Sequence, residues 1–419
     1  MKKLLSGFLM MFILFSCTKR TTGNNNEITP SDLSASEPKI ANCISFNKNI
    51  AVKDTGKKEF HNTNAIELAK DMKCGWNLGN TLDATNGKGL ETETSWGMPL
   101  TTKQMIDGLA KSKIKTIRIP VSWSRHIIDD KYTIDPQWMK RVKQIVDWAI
   151  SNDMYVILNC HHDNKSALEP VQYGEGYCPS SVSFEESMKF LQNIWAQIAF
   201  AFNDGYDEHL IFELLNEPRL KDTKWEWYFD PWDKDCKDAN NCLTKFNQAL
   251  VYLIRKSGGN NQKRKILITG LAASLNSIIA DQFVIPKDDE PGKIMISVHM
   301  YSPYSFAMEN PGKTEFTETM QQELTVSFNR LEKKFISKGY PVIIGEYGAT
   351  NKNNLKQRVN WFKFFVSAAK EKGIPCCLWD NGIYRVTNND FSERYGFYSR
   401  KTQKWYFPEI LDAIIESVY

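Results

Sequence analysis

The sequence predicts an α/β fold, a (β/α)8 barrel of the TIM type, within a chain of 419 residues. Three observations support this: eight short apolar runs, segments of helical period between them, and polar side chains where the runs end. A doubly wound sheet would also alternate strands with helices. The barrel is favoured because the polar ends recur along the whole chain, as the carboxyl-terminal face of a barrel requires.

The first predicted element is a helix that begins at the N-cap Asn64 and ends near Met72. The eight expected strands are Cys74–Leu78, Thr116–Ile119, Tyr155–Cys160, Leu210–Leu215, Ile266–Thr269, Ile294–Val298, Val342–Gly345 and Cys376–Trp379. Helices are expected at Thr102–Ser112, Pro136–Asn152, Phe184–Phe202, Asn240–Ser257, Phe316–Gly339 and Leu355–Gly373. The stretch between the fifth and sixth strands is too short to assign.

The amino terminus indicates an exported protein. Lys2 and Lys3 precede an apolar segment, Leu4 to Phe15, which is too short to cross a bilayer. It ends in Leu14-Phe15-Ser16-Cys17, which resembles the bacterial lipoprotein processing box. We expect residues 1–16 to be a signal peptide and Cys17 to carry lipid that anchors the protein to the outer membrane, on its periplasmic or outer face. An ordinary signal peptide with an incidental cysteine is the alternative.

We expect residues 17–60 to form a disordered tether and residues 61–419 to form the folded domain. The tether is rich in Thr, Asn, Ser, Lys and Glu and has few large apolar groups. The formal charge of +4 falls to about +2 without Lys2 and Lys3, since 51 basic residues then face 49 acidic ones. No polybasic cluster stands out, so nucleic acid is not an expected partner. A monomer is the default expectation.

Eight cysteines besides Cys17 permit disulfides in an exported protein without specifying them. Cys236 and Cys242 lie close in the sequence, in a region expected to be a loop, and are the first candidates for a bridge. The adjacent Cys376 and Cys377 lie in an expected strand and cannot bridge each other without strain. No zinc-type spacing is present, so the cysteines are expected to be structural or free.

Two of the apolar runs lead into glutamates, Glu217 and Glu346, which lie 129 residues apart. A carboxylate at the end of a buried strand is costly to place there, so its presence suggests chemistry. Two such carboxylates in one domain suggest a pair acting on a glycosidic bond.

The ends of seven of the eight strands carry groups that hydrogen-bond or stack. In these motifs the chain resembles glycoside hydrolase family 5, the cellulase family A, from about residue 64 to the end. The motifs that carry the resemblance are Gly75-Trp76-Asn77-Leu78-Gly79-Asn80-Thr81-Leu82, Arg118-Ile119-Pro120, His161-His162, Asn216-Glu217-Pro218, His299-Met300-Tyr301-Ser302-Pro303-Tyr304, Gly345-Glu346-Tyr347-Gly348 and Trp379-Asp380-Asn381-Gly382.

The first motif, with Glu93-Thr94-Ser95-Trp96-Gly97, is similar to the branch of endo-β-1,4-glucanases that includes xyloglucanases and mixed-linkage glucanases. The resemblance therefore implies a retaining endo-β-1,4-glucanase that degrades β-glucan polysaccharide without a cofactor. Glu217 matches the general acid/base, whose pKa should be raised, and Glu346 matches the nucleophile. Arg118 matches the arginine beside that nucleophile.

The resemblance also implies roles for the residues around the two glutamates. Asn216 matches the residue that bonds the 2-hydroxyl of the sugar being cleaved, while His299 and Tyr301 match residues that orient the nucleophile and its sugar. Six further residues are candidate substrate ligands: Asn77, His161, His162, Trp379, Asn381 and Trp96.

Alternative readings of these residues stay open from the sequence. His161, His162 and Asp163 could bind a metal, but neighbours on a strand point to opposite faces and make a poor chelate. His162 could be a packed histidine, and Asn77 and Asn80 could form turns. Tyr304 is a weaker groove candidate. The aromatic segment Trp225–Trp232 could line the leaving-group side of a groove or pack on itself.

Three alternatives to the predicted activity also remain. Related barrels share these catalytic residues and differ in their loops, so mannan or xylan could be the substrate. A catalytically decayed, surface glycan-binding lipoprotein is the second alternative, although such a protein would be expected to have lost a catalytic carboxylate. A metal-dependent hydrolase centred on His161 and His162 is a third hypothesis.

Overall fold

The structure, a computed structural model, describes residues 50–387 and 393–419. The predicted signal peptide, the predicted lipid attachment at Cys17 and the tether up to residue 49 lie outside the described residues. None of the helices in the described part of the chain is long and apolar enough to cross a membrane.

Eight parallel strands close into a barrel in the order β1 to β8. The strands are β1 Cys74–Asn77, β2 Thr116–Ile119, β3 Tyr155–Asn159, β4 Leu210–Glu213, β5 Ile266–Ile268, β6 Ile294–Met300, β7 Val342–Tyr347 and β8 Cys376–Leu378. β1 pairs with β8, with Trp76 opposite Leu378, which confirms the barrel and excludes the doubly wound sheet. Every strand begins at its predicted residue, because β-branched and aliphatic runs favour strands.

The α-helices occur between the strands and at both ends of the barrel domain. They are α1 Ala65–Asp71, α2 Lys103–Lys111, α3 Pro136–Ile150, α4 Phe184–Ala201, α5 Lys234–Lys256, α6 Leu275–Ile279, α7 Tyr304–Ala307, α8 Glu318–Lys334, α9 Leu355–Glu371 and α10 Pro408–Val418. A short antiparallel pair, β9 Tyr398–Ser399 and β10 Lys404–Trp405, precedes α10. Helix α10 and this hairpin were not predicted.

Helix α5 begins six residues before its predicted start, at Lys234. The side chain of Asp233 caps it by accepting hydrogen bonds from the backbone N–H groups of Asp235 and Cys236. Cys236 and Cys242 therefore lie in one helix, and both are free thiols. The predicted bridge is wrong because six residues of helix separate the two by about 9 Å along the axis, too far for a disulfide.

Helix α1 closes the amino-terminal end of the barrel. Its buried Ala65, Leu68 and Ala69 form one apolar cluster with inward-facing strand residues such as Ile211 and Leu267. A second, larger cluster fills the space between the strands and the surrounding helices. The base of the barrel is thus sealed, and the polar strand ends all lie at the opposite end.

The last part of the predicted tether belongs to the fold. Asp54 accepts hydrogen bonds through Oδ2 from the backbone N–H groups of Asn203 (2.8 Å) and Gly205 (2.7 Å), just after α4. The backbone N–H of Lys58 donates to the carbonyl of Asp204 at 2.6 Å. The domain boundary predicted at residue 61 therefore lies too late, because a polar, Lys-rich segment can still be fixed by backbone hydrogen bonds.

Candidate active site

Arg118 in β2 is completely buried at the centre of the carboxyl-terminal end of the barrel. Its Nε donates to Oε2 of Glu213 (2.7 Å), and its Nη2 donates to Oδ1 of Asn216 (2.7 Å). Its Nη1 donates to both Oδ1 of Asn77 (2.9 Å) and Oε1 of Glu346 (2.8 Å). Burial alone would lower the pKa of Arg118, but the charges of Glu213 and Glu346 outweigh it and raise that pKa. The guanidinium is therefore a permanent cation.

Glu346 is held by donors from β2 and from the end of β6. Besides the bond from Arg118, its Oε2 accepts from the hydroxyl of Tyr301 at 2.9 Å. Nδ1 of His299 lies 3.6 Å from the same oxygen. Burial, together with the charge of Glu346, raises the pKa of Tyr301 well above its usual value, so the phenol keeps its proton and donates. The carboxylate thus has a fixed orientation and is 5% exposed.

A β-bulge places His299 and Glu346 opposite each other. Val298 pairs with Ile344, but the next residue of β6, His299, pairs with Glu346, so Gly345 is left over. A Cβ on Gly345 would lie 2.9 Å from Oγ of Ser297 and 3.1 Å from Nε2 of His299. Only glycine leaves room here for the imidazole, which explains the Gly-Glu order of the motif.

Glu217 follows β4 and faces the same space as Glu346. Nδ1 of His299 lies 2.7 Å from Oε1 of Glu217, while Nε2 of the same ring lies 3.4 Å from Nη2 of Arg118. Because a carboxylate can only accept, Nδ1 of the ring donates to Glu217. Nη1 of Arg219 lies 3.8 Å from Oε2 of Glu217.

The pKa of Glu217 differs from the sequence expectation in this ligand-free geometry. Burial raises it, but the hydrogen bond from His299, the charge of that ring and the positive charge of Arg219 outweigh burial and lower the pKa to about 2. The predicted rise of the Glu217 pKa is therefore wrong for the ligand-free site. The strand-end motif carried no information about the neighbouring His299 and Arg219.

The two glutamates are close enough to act on one bond. One carboxylate oxygen of Glu217, one of Glu346 and one ring nitrogen of His299 all lie within 4.8 Å of one another. Glycosidases that invert the anomeric centre keep their carboxyl groups roughly 6.5–9.5 Å apart to admit water, whereas retaining ones keep them about 5–5.5 Å apart. The spacing here is of the short kind.

Glu213 is a functional residue that the sequence analysis missed. It is fully buried at the end of β4, where it accepts from Arg118, from Nδ2 of Asn159 (2.9 Å) and from Oγ of Ser297 (2.5 Å). It places a second negative charge beside the buried Arg118, in addition to that of Glu346. The sequence did contain a signal for Glu213, because it is a charged residue inside the apolar run Leu210–Leu215. It was overlooked in favour of Glu217, which follows the same run.

His161 and His162 lie together, contrary to the prediction that they point to opposite faces. β3 ends at Asn159, so strand alternation no longer applies, and the ring centroids are 4.4 Å apart. Nδ2 of Asn159, 3.0 Å away, donates to Nδ1 of His161, which leaves the hydrogen of the neutral ring on Nε2. In this tautomer Nε2 carries the hydrogen and can donate to a sugar hydroxyl.

Burial lowers the pKa of both histidines, that of His162 to about 4, so both are neutral at ordinary pH. Aromatic rings border the pair on either side. The ring of Trp379 is parallel to that of His161, with centroids 5.9 Å apart, and Trp96 lies 5.5 Å from His162. The four predicted ligands His161, His162, Trp379 and Trp96 are thus brought together.

Two predicted sugar ligands are placed elsewhere. Asn77 is fully buried: its Oδ1 accepts from Arg118 and its Nδ2 donates to the carbonyls of Gly345, Cys377 and Leu378. The prediction that it contacts substrate is wrong, since its amide is already committed beneath the site. The amide of Asn381 also bonds three backbone groups, those of Ile383, Glu393 and Tyr395.

The aromatic segment after Glu217 is divided: Trp225 and Phe229 are partly buried and pack against the main core, whereas three other rings are exposed. The exposed fractions of Trp227, Tyr228 and Trp232 are 57%, 68% and 77%. The guanidinium of Arg219 lies 4.1 Å from the ring centroid of Trp227. Tyr304, at the start of α7, is also exposed.

This arrangement agrees with comparisons to known proteins. Residues 79–385 match the family model described as cellulase (glycosyl hydrolase family 5). The chain is 43% identical over 356 residues to Endoglucanase 1 of Ruminococcus albus, which covers 84% of this chain and 80% of the relative. It is 41% identical over 360 residues to Endoglucanase A of Clostridium longisporum, covering 84% of this chain and 65% of the relative.

Solved structures give the same result. A family 5 lichenase from Caldicellulosiruptor sp. F32, in complex with cellotetraose, superposes with a TM-score of 0.79 at 40% identity, covering 88% of this chain and 100% of that one. A broad-specificity endoglucanase from Ruminococcus champanellensis with bound cellotriose gives 0.78 at 37% identity, covering 85% and 100%. The chain is therefore a cellulase-type enzyme that belongs to glycoside hydrolase family 5.

Proposed function

We propose that the protein is a retaining endo-β-1,4-glucanase that cleaves internal bonds of β-glucans through a covalent glycosyl-enzyme. The observation that carries the proposal is the short separation of Glu217 and Glu346, whose oxygens lie within 4.8 Å, with donors fixed on each. The names of the relatives, endoglucanases and a lichenase, support a glucan backbone as substrate.

In the first step Oε2 or Oε1 of Glu346 attacks the anomeric carbon, and the bond to the leaving oxygen breaks. Glu217 gives its proton to that oxygen, so that the leaving chain departs as an alcohol. In the second step Glu217 takes a proton from water, the water oxygen attacks the same carbon, and Glu346 is released as a carboxylate. Arg118 and Tyr301 hold Glu346 in line for both steps.

Glu217 must bind a proton before the first step, although its pKa in the free site is about 2. A glucan chain over the site removes the remaining water from Glu217 and places an acceptor, the glycosidic oxygen, beside it. Both changes favour the protonated acid. Binding of the substrate thus helps to prepare the acid.

The groove supplies contacts for the chain on both sides of the cleaved bond. Trp379 and Trp96 offer aromatic faces, and His161 can donate to a hydroxyl between them. Asn216 accepts from Arg118 through Oδ1, which orients its Nδ2 as a donor for the 2-hydroxyl. On the leaving side the exposed rings of Trp227 and Tyr228 provide a further surface.

The test is reducing-end release from mixed-linkage β-glucan, carboxymethyl cellulose, xyloglucan, xylan and mannan, side by side, with proton NMR of the first product. We expect release from the glucans, and the first product should carry the β-anomer. The rate on xyloglucan shows whether the groove admits side chains. Release from mannan or xylan alone would overturn the substrate, an α-anomer would overturn the mechanism, and no release at all would revive the glycan-binding alternative.

We further propose that the enzyme is exported and anchored by lipid on Cys17 to the outer membrane of a bacterium. The support is the sequence from Lys2 to Cys17. Expression with labelled palmitate should label the wild-type protein and not Cys17→Ser. Equal labelling of both would contradict the proposal.

A further inference from the structure

Arg219 is a partly buried cation, with its side chain 12% exposed, and it has no direct hydrogen bond to either neighbouring carboxylate. Its Nη1 lies 3.6 Å from Oε1 of Glu226 and 3.8 Å from Oε2 of Glu217, both beyond ordinary hydrogen-bond distance. Its Nε is buried and has no hydrogen-bond partner among the described residues. A buried donor without a partner is uncommon and calls for an explanation.

The guanidinium has a third neighbour on the same segment. Its carbon lies 4.1 Å from the ring centroid of Trp227, within the range of a cation–π contact, and Trp227 remains 57% exposed. The backbone of Arg219 is fixed, because its N–H donates to Oδ1 of Asn164 at 2.5 Å. The backbone of Arg219 is fixed and its guanidinium lies between Glu217 and Glu226. A small rotation of the side chain can therefore move the positive charge from one carboxylate towards the other.

We propose that Arg219 is a positioning residue of the reaction, a cation shared between Glu217 and Glu226 that connects the aromatic segment 225–232 to the acid/base carboxylate. The proposal rests on the function proposed above. A sugar that stacks on the open face of Trp227 fixes the ring over the guanidinium, and so fixes where the charge lies relative to Glu217. Occupation of the leaving side then influences the group that protonates the leaving oxygen.

The charge balance at Glu217 gives the proposal two opposite consequences. Removing Arg219 removes a positive charge, so the pKa of Glu217 should rise. Removing the charge of Glu226 leaves Arg219 to interact with Glu217 alone, so the pKa of Glu217 should fall. Among the described residues, the other titratable or charged groups near Glu217 stay unchanged in both variants: His299, Tyr301, Glu346, His162, Arg118, Lys221 and Glu393.

The experiment compares wild type, Arg219→Met and Glu226→Gln by two measurements. Carbon-13 NMR of labelled glutamate carboxyls, assigned with Glu217→Gln, follows the titration of Glu217 directly and needs no activity. The pH dependence of kcat on β-glucan follows the same group in the substrate complex through its basic limb. We expect the midpoint of Glu217 to move up in Arg219→Met and down in Glu226→Gln, with the basic limb moving in the same directions.

A double-mutant cycle tests the connection to the aromatic segment. Trp227→Ala should lower kcat/KM on β-glucan about tenfold in wild type, as expected for one lost stacking contact, but clearly less in the Arg219→Met background. Equal effects in both backgrounds, or shifts of the Glu217 midpoint in the same direction in Arg219→Met and Glu226→Gln, would overturn the proposal. If wild type cleaves no glucan, the proposed function fails while the NMR titration still decides whether Arg219 is shared.

Discussion

Asn77 and Glu346 share one nitrogen of Arg118, whose Nη1 donates to Oδ1 of Asn77 at 2.9 Å and to Oε1 of Glu346 at 2.8 Å. Nδ2 of Asn77 is itself held by three carbonyls, including that of Gly345 at 2.9 Å. The amide therefore fixes Arg118 relative to β7, the strand that carries Glu346. Asn77 therefore controls the orientation of the Glu346 carboxylate through Arg118, without contacting substrate itself.

Asn77→Ala should therefore lower kcat and leave KM nearly unchanged. The loss follows from a displaced Arg118, while the sugar-binding surface stays in place. Steady-state kinetics on β-glucan measure both constants, and circular dichroism checks folding. Trp379→Ala is the matched comparison, because a lost stacking surface should raise KM. A rise in KM with constant kcat in Asn77→Ala would restore the sugar contact that the sequence suggested.

Tyr301→Phe tests the second donor on Glu346. It removes the 2.9 Å hydrogen bond to Oε2 and little volume. A hydrogen bond to a charged group contributes about 1.5–3 kcal/mol, so kcat/KM should fall roughly tenfold to a hundredfold. Tyr395→Phe is the control, since its hydroxyl donates to the backbone carbonyl of Ala307 and not to Glu346. Equal losses in both variants would mean that packing rather than the bond to Glu346 is affected.

Substrates with different leaving groups separate the roles of the two glutamates. An aryl cellobioside with a strongly acidic phenol needs no protonation to leave, whereas a glucan does. Glu217→Ala should therefore cleave the aryl bond at a measurable rate and lose glucan cleavage. Glu346→Ala should lose both, because no nucleophile remains. Burst kinetics with the aryl cellobioside and product release from the glucan measure the two activities. If both variants lost both activities equally, the assignment of Glu217 as acid/base and Glu346 as nucleophile would be contradicted.

Much of this site could be predicted from the sequence, because strand starts and chemistry-bearing strand ends are local features. Glu217, Glu346 and Arg118 lie where their strand positions place them. The direction of a polar end was not predictable in the same way: Asn77 and Asn381 turn inward to satisfy backbone groups. The contacts of Asn77 join segments hundreds of residues apart, and no local pattern records them.

The ends of helices and strands were also difficult to predict from the sequence. The start of α5 was missed because Asp233, Lys234 and Asp235 read as a charged loop, although Asp233 is a helix cap. The pair His161 and His162 was misread because the strand ends one residue earlier than predicted. Single-residue shifts at an element's end thus decide which side chains meet.

The stability of the barrel base should depend on pH through Lys265. This residue precedes β5 and is fully buried, and its Nζ donates to the carbonyl of Thr63 at 2.6 Å. Burial, and then the neighbouring charge of Lys293, lowers its pKa to about 7. Between this value and the ordinary lysine pKa of about 10.4, the unfolded chain binds more protons at this site than the folded one. Stability from this site therefore rises with pH across that window and is lowest below it.

Urea unfolding of wild type and Lys265→Met at several pH values between about 6 and 10 measures this contribution. The free energy of unfolding of wild type, relative to the variant, should increase as pH rises. The exposed Lys356→Met serves as a control for loss of a lysine charge. A difference between wild type and Lys265→Met that stays constant with pH, or falls, would contradict the prediction.

The amino-terminal segment meets the barrel at the base that α1 seals. Asp54 and Lys58 bond the turn after α4, and Thr63 bonds Lys265 at the start of β5, all at the end opposite Glu217 and Glu346. A surface joined to the enzyme through this segment, whether a bead or a bilayer, would approach the closed end. Long polymer chains could then cross the open end without competing with the support for space.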